Sequence, residues 1–165
     1  MDALIIEPKQ GIGTISLGMS PSEVEQCIKD YSNKYLELGF DQKFFKHVFQ
    51  IDYSSENKVN FIQIISDIKN IFNCVFKDID IFNTKAEILI KQIEQISPYD
   101  SNHWELGYTY AFPKLGLYLW RPSIFKEADK NEDWYKALSL ENQEEELKYL
   151  YFQTVSIESN DYRNL

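Results

Sequence analysis

The sequence has few of the residues that mark secreted, membrane-spanning or metal-binding proteins. Its 165 residues include two cysteines and two histidines. Cys27 and Cys74 lie far apart in the chain and fit no metal or redox spacing, so we interpret both as buried thiols of a cytoplasmic protein. No run of about 18 apolar residues occurs, which predicts that the chain does not span a membrane. The N-terminus has no basic region ahead of an apolar stretch, so no signal peptide is predicted.

Positive charge is also scarce. There are 17 Lys and Arg against 26 Asp and Glu, which gives a formal net charge of −9. Because phosphate groups repel such a surface, we expect neither direct nucleic-acid binding nor binding to an anionic membrane. A basic protein partner would be attracted to it. The alternative is an acidic surface that serves solubility alone.

What the sequence does contain is enough apolar material for one complete core. Hydrophobic residues make up 44% of the chain and aromatic residues 15%. A chain of this length fits one domain, which we expect to cover residues 1–165 with a loose tail from about residue 158.

The segment from Gly11 to Val24 predicts a short strand, a glycine loop and the start of a helix. Ser20 and Glu23 have the spacing of a capping box, and the intervening Pro21 suits the first helical position. The helix is expected to end near Leu38, ahead of a glycine.

Alternating apolar and polar residues predict a strand over Phe45–Tyr53 and a second over Val59–Ile65, joined as an antiparallel hairpin. Further elements are predicted along the chain: a strand at Phe72–Phe76, a helix opened by a capping box at Thr84–Glu87, a hairpin over Gly107–Trp120, a helix over Glu141–Leu150 and a last strand over Tyr151–Ile157. This order predicts an α+β domain, an antiparallel β-sheet with two to three helices packed mainly on one face.

The two histidines are the first candidates for catalysis. His47 lies between Phe45 and Phe49 on the apolar side of a predicted strand, which favours a structural histidine in the core or at a sheet edge. His103 follows Asp100 in a polar loop. That loop is either plain surface or the site of a small hydrolase or transferase.

Two other patterns are weaker candidates for chemistry. Gly11 and Gly13 resemble part of a phosphate-binding loop, but neither the third glycine of the dinucleotide pattern nor a P-loop lysine follows. Asp78 and Asp80 lie two residues apart, and with no histidine nearby we interpret them as a solvated strand edge. We therefore expect no catalytic residue, no metal site and no cofactor.

The segment Lys126–Lys148, here called the acidic segment, is the best candidate for partner binding. It contains four lysines and eight acidic residues: Glu127, Asp129, Glu132, Asp133, Glu141, Glu144, Glu145 and Glu146. Acids beside aromatic residues are typical of protein interfaces, which points to Glu132, Asp133, Trp134 and Tyr135 first and to Glu144 and Glu145 next. The alternatives are a solvated helix face and aromatic residues that anchor the last helix.

Four stretches of the chain together resemble a bacterial immunity protein of a polymorphic-toxin or contact-dependent inhibition system. They are residues 11–24, 59–62, 81–84 and 112–117. The resemblance implies a non-enzymatic cytoplasmic protein that binds a cognate toxin and blocks its active site, with no catalytic residues of its own. Such toxins are often nucleases with basic clefts, which an acidic inhibitor complements.

Two other functional classes remain open from the sequence. One is the small enzyme with a site near Asp100 and His103. The other is a structural or regulatory phage protein that self-associates through a tyrosine-rich sheet. The abundance of Ile, Lys, Asn, Tyr and Phe is typical of an AT-rich genome, such as that of a low-GC bacterium or its prophage.

Overall fold

Two β-sheets share one hydrophobic core in the computed structural model, which describes residues 1–164 and the side chains of residues 1–163. The first sheet has the strand order β3-β2-β1-β6-β7. Its strands are β1 (Asp2–Glu7), β2 (Gly11–Ile12), β3 (Ile15–Ser16), β6 (Phe72–Phe76) and β7 (Ile79–Asp80). β1 and β6 pair in parallel, and the other neighbours pair antiparallel.

The second sheet is antiparallel throughout and has the order β4-β5-β10-β9-β8. Its strands are β4 (Phe49–Tyr53), β5 (Val59–Ile65), β8 (Thr109–Phe112), β9 (Leu117–Trp120) and β10 (Thr154–Glu158). Alternate residues such as Ile62, Leu119 and Val155 are fully buried in the shared core, so one face of this sheet points inward.

Five α-helices accompany the sheets: α1 (Pro21–Tyr35), α2 (Gln42–Val48), α3 (Ala86–Glu94), α4 (Asp133–Lys136) and α5 (Leu140–Leu147). The first three contribute buried side chains to the shared core. Short 3₁₀ turns lie at Leu36–Leu38, Ser66–Asn70, Glu127–Asn131, Lys148–Leu150 and Tyr162–Asn164. The α+β class predicted from the sequence is therefore confirmed, with two sheets in place of one and with more helices.

The opening segment forms the predicted strand, loop and capped helix. The Glu23 amide donates to Ser20 Oγ at 3.4 Å, and the Ser20 amide donates to Glu23 Oε2 at 2.7 Å, which completes the capping box. The loop also links the two sheets, because the Gly18 amide donates to the Val59 carbonyl and the Val59 amide donates to the Met19 carbonyl, both at 2.8 Å. Gly11 and Gly13 of this segment are closely packed in the fold, since a Cβ atom at either would lie within 2.5 Å of a neighbouring atom.

The prediction of a strand over Phe45–Tyr53 is wrong for its first half. Residues 42–48 form α2, and Asp41 caps this helix by accepting a hydrogen bond from the Phe44 amide at 2.9 Å. Phe45 and Val48 are both buried, a spacing of three residues that fits one face of a helix. His47 consequently lies on an exposed helix face, with Nε2 3.9 Å from Asp67 Oδ2, and not on the apolar side of a strand.

Two predicted boundaries also differ from the structure. The helix after residue 84 has Lys85 at its N-cap with no side-chain cap, so the capping box predicted at Thr84–Glu87 does not form. The last strand begins at Thr154 and not at Tyr151, because the preceding residues Lys148–Leu150 form a 3₁₀ turn.

The tail after Glu158 was expected to be loose and is instead attached to the outer face of the second sheet. The Tyr162 ring stacks on Phe61 at 4.9 Å, and its hydroxyl donates to Asp52 at 2.7 Å. Arg163 Nε donates to both Glu158 carboxylate oxygens at 3.0 Å. These contacts hold the C-terminal turn across strands β4, β5 and β10.

Candidate functional site

The acidic segment is built around its own small hydrophobic cluster, apart from the shared core. Phe125, Tyr135 and Leu150 form the buried part of this cluster. Leu138, in the connection between α4 and α5, and Leu147, in α5, pack against it. The cluster therefore positions α4 and α5 as one unit on the edge of the molecule.

Tyr135 and Gln143 fasten these two helices to each other. The Tyr135 hydroxyl donates to the Gln143 carbonyl at 3.3 Å. Gln143 Nε2 lies 3.2 Å from the carbonyl oxygens of both Tyr135 and Leu138, to which it donates. Tyr135 was predicted to contact a partner, but it is 8% exposed and holds the segment together instead.

Three of the predicted binding residues lie on the surface at the start of α4. Glu132 and Asp133 are exposed, and Trp134 keeps 49% of its surface accessible. The Trp134 ring meets Phe125 edge-on at 6.1 Å, so one side of the indole is anchored while the rest faces solvent. A ring anchored in this way offers a contact surface with little conformational entropy left to lose.

The other two predicted residues line a separate groove of about 620 Å³. Glu144 and Glu145 form one side of this groove, and Asp67 and Lys69 from the Ser66–Asn70 turn also line it. Glu145 pairs with Lys148 at 2.5 Å, whereas Glu144 has no ion pair within the described residues. Glu132, Asp133 and Trp134 do not line this groove, so the predicted residues fall into two patches of one lobe.

Most carboxylates of the acidic segment have no cationic partner. Glu127 pairs with Lys130 at 2.8 Å and also with Lys85. The hydrogen bond from Lys130, followed by that from Lys85, lowers the pKa of Glu127 below the ordinary range. Asp129 accepts a hydrogen bond from the Lys126 amide at 2.8 Å. Six carboxylates form no ion pair in the part of the chain that the structure describes: Asp129, Glu132, Asp133, Glu141, Glu144 and Glu146.

His103 lies beside an open groove of about 290 Å³, here called the outer-face groove, on the outer side of the second sheet. Its Nδ1 accepts the Glu105 amide at 3.1 Å, and Glu105 lines the same groove. Trp104 is 86% exposed, with its ring stacked at 6.2 Å from that of His103. Asp100 does not line the groove, because its carboxylate accepts the Asn102 amide at 2.9 Å and closes a local turn.

The remaining candidates have structural roles. Asp80 accepts hydrogen bonds from the amide and the side chain of Asn83, at 3.2 and 3.0 Å, and so caps the turn after β7. Cys74 is buried, which raises the pKa of its thiol to about 12. Among residues 1–164, no three His, Cys, Asp or Glu side chains are grouped so that they could hold a metal ion.

An apolar groove of about 600 Å³ lies between β1 and α1, and no pattern in the sequence predicts it. At its side, Asp2 accepts hydrogen bonds from Lys34 at 2.8 Å and from Tyr35 at 2.5 Å. The Lys34 bond, followed by the Tyr35 bond, lowers the pKa of Asp2. These residues are more than thirty positions apart in the chain, and no local pattern marks such a contact.

Comparison with protein-family models, with curated proteins and with solved structures finds no match. Within residues 1–164, no helix has both the length and the apolar character needed to cross a membrane.

Proposed function

We propose that this chain is a non-enzymatic immunity protein that acts in the cytoplasm, binding a basic bacterial toxin through its acidic segment and blocking the toxin's active site. The observation that carries the proposal is the set of six carboxylates without ion pairs, grouped on a lobe that also exposes Trp134. The resemblance of residues 11–24, 59–62, 81–84 and 112–117 to immunity proteins supports the same function.

Electrostatics favour a basic partner for this lobe. Carboxylates without an internal counter-ion keep their full attraction for lysine and arginine side chains on another surface. Such complementarity raises the association rate and fixes the register of a complex. The formal net charge of −9 adds attraction over a longer range.

The small hydrophobic cluster gives the proposed interface its rigidity. Tyr135 and Gln143 hold α4 against α5 in the free protein. Less conformational entropy is then lost on binding than a flexible acidic loop would lose. Trp134 supplies the aromatic contact that commonly dominates binding energy at protein interfaces.

Co-expression with the protein encoded next to this gene tests the proposal. We expect the two proteins to purify together and the neighbour's toxicity to be suppressed. The double variant Glu132→Lys, Asp133→Lys should weaken the complex by about 3 kcal/mol, roughly a hundredfold in Kd, because it replaces two attractive charges with repulsive ones.

A matched control separates this local effect from the change in net charge. Glu37 and Glu56 are exposed and have no ion pair within residues 1–164, so Glu37→Lys, Glu56→Lys makes the same change elsewhere on the surface. The proposal is wrong if both double variants weaken the complex equally, or if neither does.

A second candidate function is hydrolysis or group transfer at the outer-face groove. It is favoured by one observation, the presence of His103 and Glu105 along the same groove. Because His103 Nδ1 accepts a hydrogen bond, the neutral ring carries its proton on Nε2. Activity in a broad substrate screen that disappears in His103→Ala would support this function, and full activity in that variant would exclude it.

A further inference from the structure

Arg121 is a fully buried cation whose partners are backbone carbonyl oxygens. It lies at the end of β9 and is 2% exposed. Its Nε donates to the Gly107 carbonyl at 3.2 Å, and one terminal nitrogen donates to the carbonyls of Phe125 at 3.2 Å and Tyr149 at 2.8 Å. No carboxylate in residues 1–164 forms an ion pair with it.

A buried charge without a counter-ion is rare, because the loss of hydration must be offset by pairing. Carbonyl dipoles offset part of that loss for Arg121. The ring of Phe152, 5.4 Å from the guanidinium carbon, contributes a cation–π contact. The positive charge nevertheless remains, and burial lowers the pKa of the guanidinium.

Arg121 is among the residues that line a cavity of about 230 Å³, here called the Arg121 cavity. Lys91, Glu87 and Glu94 from α3 also line it, as does Lys126. Three cationic and two acidic residues give the lining a net positive charge. Arg121 is the buried cation of the three, and both lysines are exposed.

The remaining walls are suited to a small polar ligand. Tyr99 and Tyr110 line the cavity, with their rings edge to face at 5.1 Å. A guanidinium presents its donors in a planar fork that matches the oxygens of a phosphate or a carboxylate. Nε and one terminal nitrogen of Arg121 donate to backbone carbonyls, which leaves the other terminal nitrogen and the two lysines to bind such a group.

We propose that the Arg121 cavity binds a small oxyanion, a phosphate or carboxylate group, between Arg121, Lys91 and Lys126. The site shares Lys126 with the acidic segment, but its ligand and its test differ from those of the proposed partner-binding surface, so either proposal can fail without the other. Glu87 is the competing counter-ion, since it also lines the cavity and its charge attracts the guanidinium.

The test titrates the full chain with inorganic phosphate, and separately with acetate, at constant ionic strength. Binding is followed by thermal unfolding and by the NMR signal of the Arg121 Nε–H group. We expect saturable stabilisation together with a shift of the Arg121 signal. Binding of phosphate alone identifies a phosphoryl site, and binding of both anions identifies a general oxyanion site.

Three variants make the result specific while leaving Arg121 in place. Lys91→Ala with Lys126→Ala should weaken binding roughly fivefold, because two exposed attractive charges are lost. Lys29→Ala with Lys43→Ala removes the same charge from exposed positions away from the cavity and should leave binding unchanged. Glu87→Gln should tighten binding, because it removes a repulsive carboxylate.

The proposal is overturned if neither anion gives saturable binding, or if the Arg121 signal does not respond. It is also overturned if Glu87→Gln lowers the melting temperature and abolishes the anion response, because Glu87 would then be the counter-ion that Arg121 uses.

Discussion

Gly13 lies where a side chain of any size would strike two packed neighbours. Its φ is +60°, and a Cβ atom there would lie 2.3 Å from Tyr31 Oη and 2.4 Å from Leu4 Cδ1. Gly18 also has a positive φ, +87°, but has open space around it. Comparing substitutions at the two glycines therefore separates the cost of backbone strain from the cost of overpacking.

We predict that Gly18→Ala destabilises the protein by about 1 kcal/mol, the cost of a left-handed backbone. Gly13→Ala should cost about 2 kcal/mol more, because it also forces Tyr31 and Leu4 apart. Urea unfolding of both variants measures the difference. Equal losses would show that the contacts around Gly13 yield without cost.

Tyr118 links stability to alkaline pH. Burial, followed by its hydrogen bond to Glu158 at 2.6 Å, raises its pKa from 10.0 to about 12. Between these values the unfolded chain has lost the tyrosine proton while the folded chain keeps it. The native state then binds more protons, so stability falls as pH rises through this window.

We predict that Tyr118→Phe makes this fall in stability shallower. Burial and the hydrogen bond to Asp52 also raise the pKa of Tyr162 to about 12. Tyr162 therefore still contributes to the fall in stability in the variant. The free energy of unfolding, measured on both sides of the window in wild type and variant, tests the prediction. An unchanged slope would show that Tyr118 has the same pKa in the folded and the unfolded protein.

At the residue scale, the sequence predicts contacts between near neighbours and misses those between distant ones. The Ser20 and Glu23 capping box was predictable because both partners lie within one helical turn. Thr84 has the same spacing to an acid, yet the helix begins later, with Lys85 at its N-cap. The pairing of Asp2 with Lys34 and Tyr35 leaves no mark in the local sequence.

At the scale of elements, the segment from Gln42 to Tyr53 shows why one pattern allows two structures. Phe45 and Phe49 fit both the two-residue repeat of a strand and the four-residue repeat of a helix. The Asp41 cap stabilises a helix that ends at Val48. Pairing with β5 stabilises a strand that begins at Phe49. The second of these depends on residues that are distant in the sequence.

Tyr135 is the side chain on which the small hydrophobic cluster of the acidic segment most depends. We predict that Tyr135→Ala destabilises this lobe by about 3 kcal/mol, because it empties a buried aromatic site. Trp134→Ala, at a half-exposed neighbour, should cost about 1 kcal/mol. Hydrogen exchange should show lost protection in residues 125–151 and retained protection in β5 and β10. A uniform loss across the chain would show that the lobe does not open independently.

At the scale of the whole molecule, the antiparallel hairpins were predictable and the division into two sheets was not. Short turns join β4 to β5 and β8 to β9, and such connections impose antiparallel pairing. The parallel pairing of β1 with β6 joins segments some seventy residues apart, Asp2 opposite Phe72. No periodicity in either strand indicates its partner.

The candidate site was likewise predictable in composition and not in arrangement. The charge of the acidic segment is visible in the sequence. The burial of Tyr135 and the separation of Glu132 and Asp133 from Glu144 and Glu145 depend on tertiary packing. For the same reason the cavity around Arg121 has no signature in the sequence, since α3, β8 and the chain that follows β9 all contribute to it.

Above all, we propose that the acidic segment binds a basic protein partner. Hydrogen exchange on the complex with the protein encoded next to this gene tests it most directly. We predict new protection over residues 126–148. This protection should weaken with increasing salt, because attraction between exposed charges is screened. Protection confined to the outer-face groove around His103 and Trp104, with the acidic segment unchanged, would contradict it.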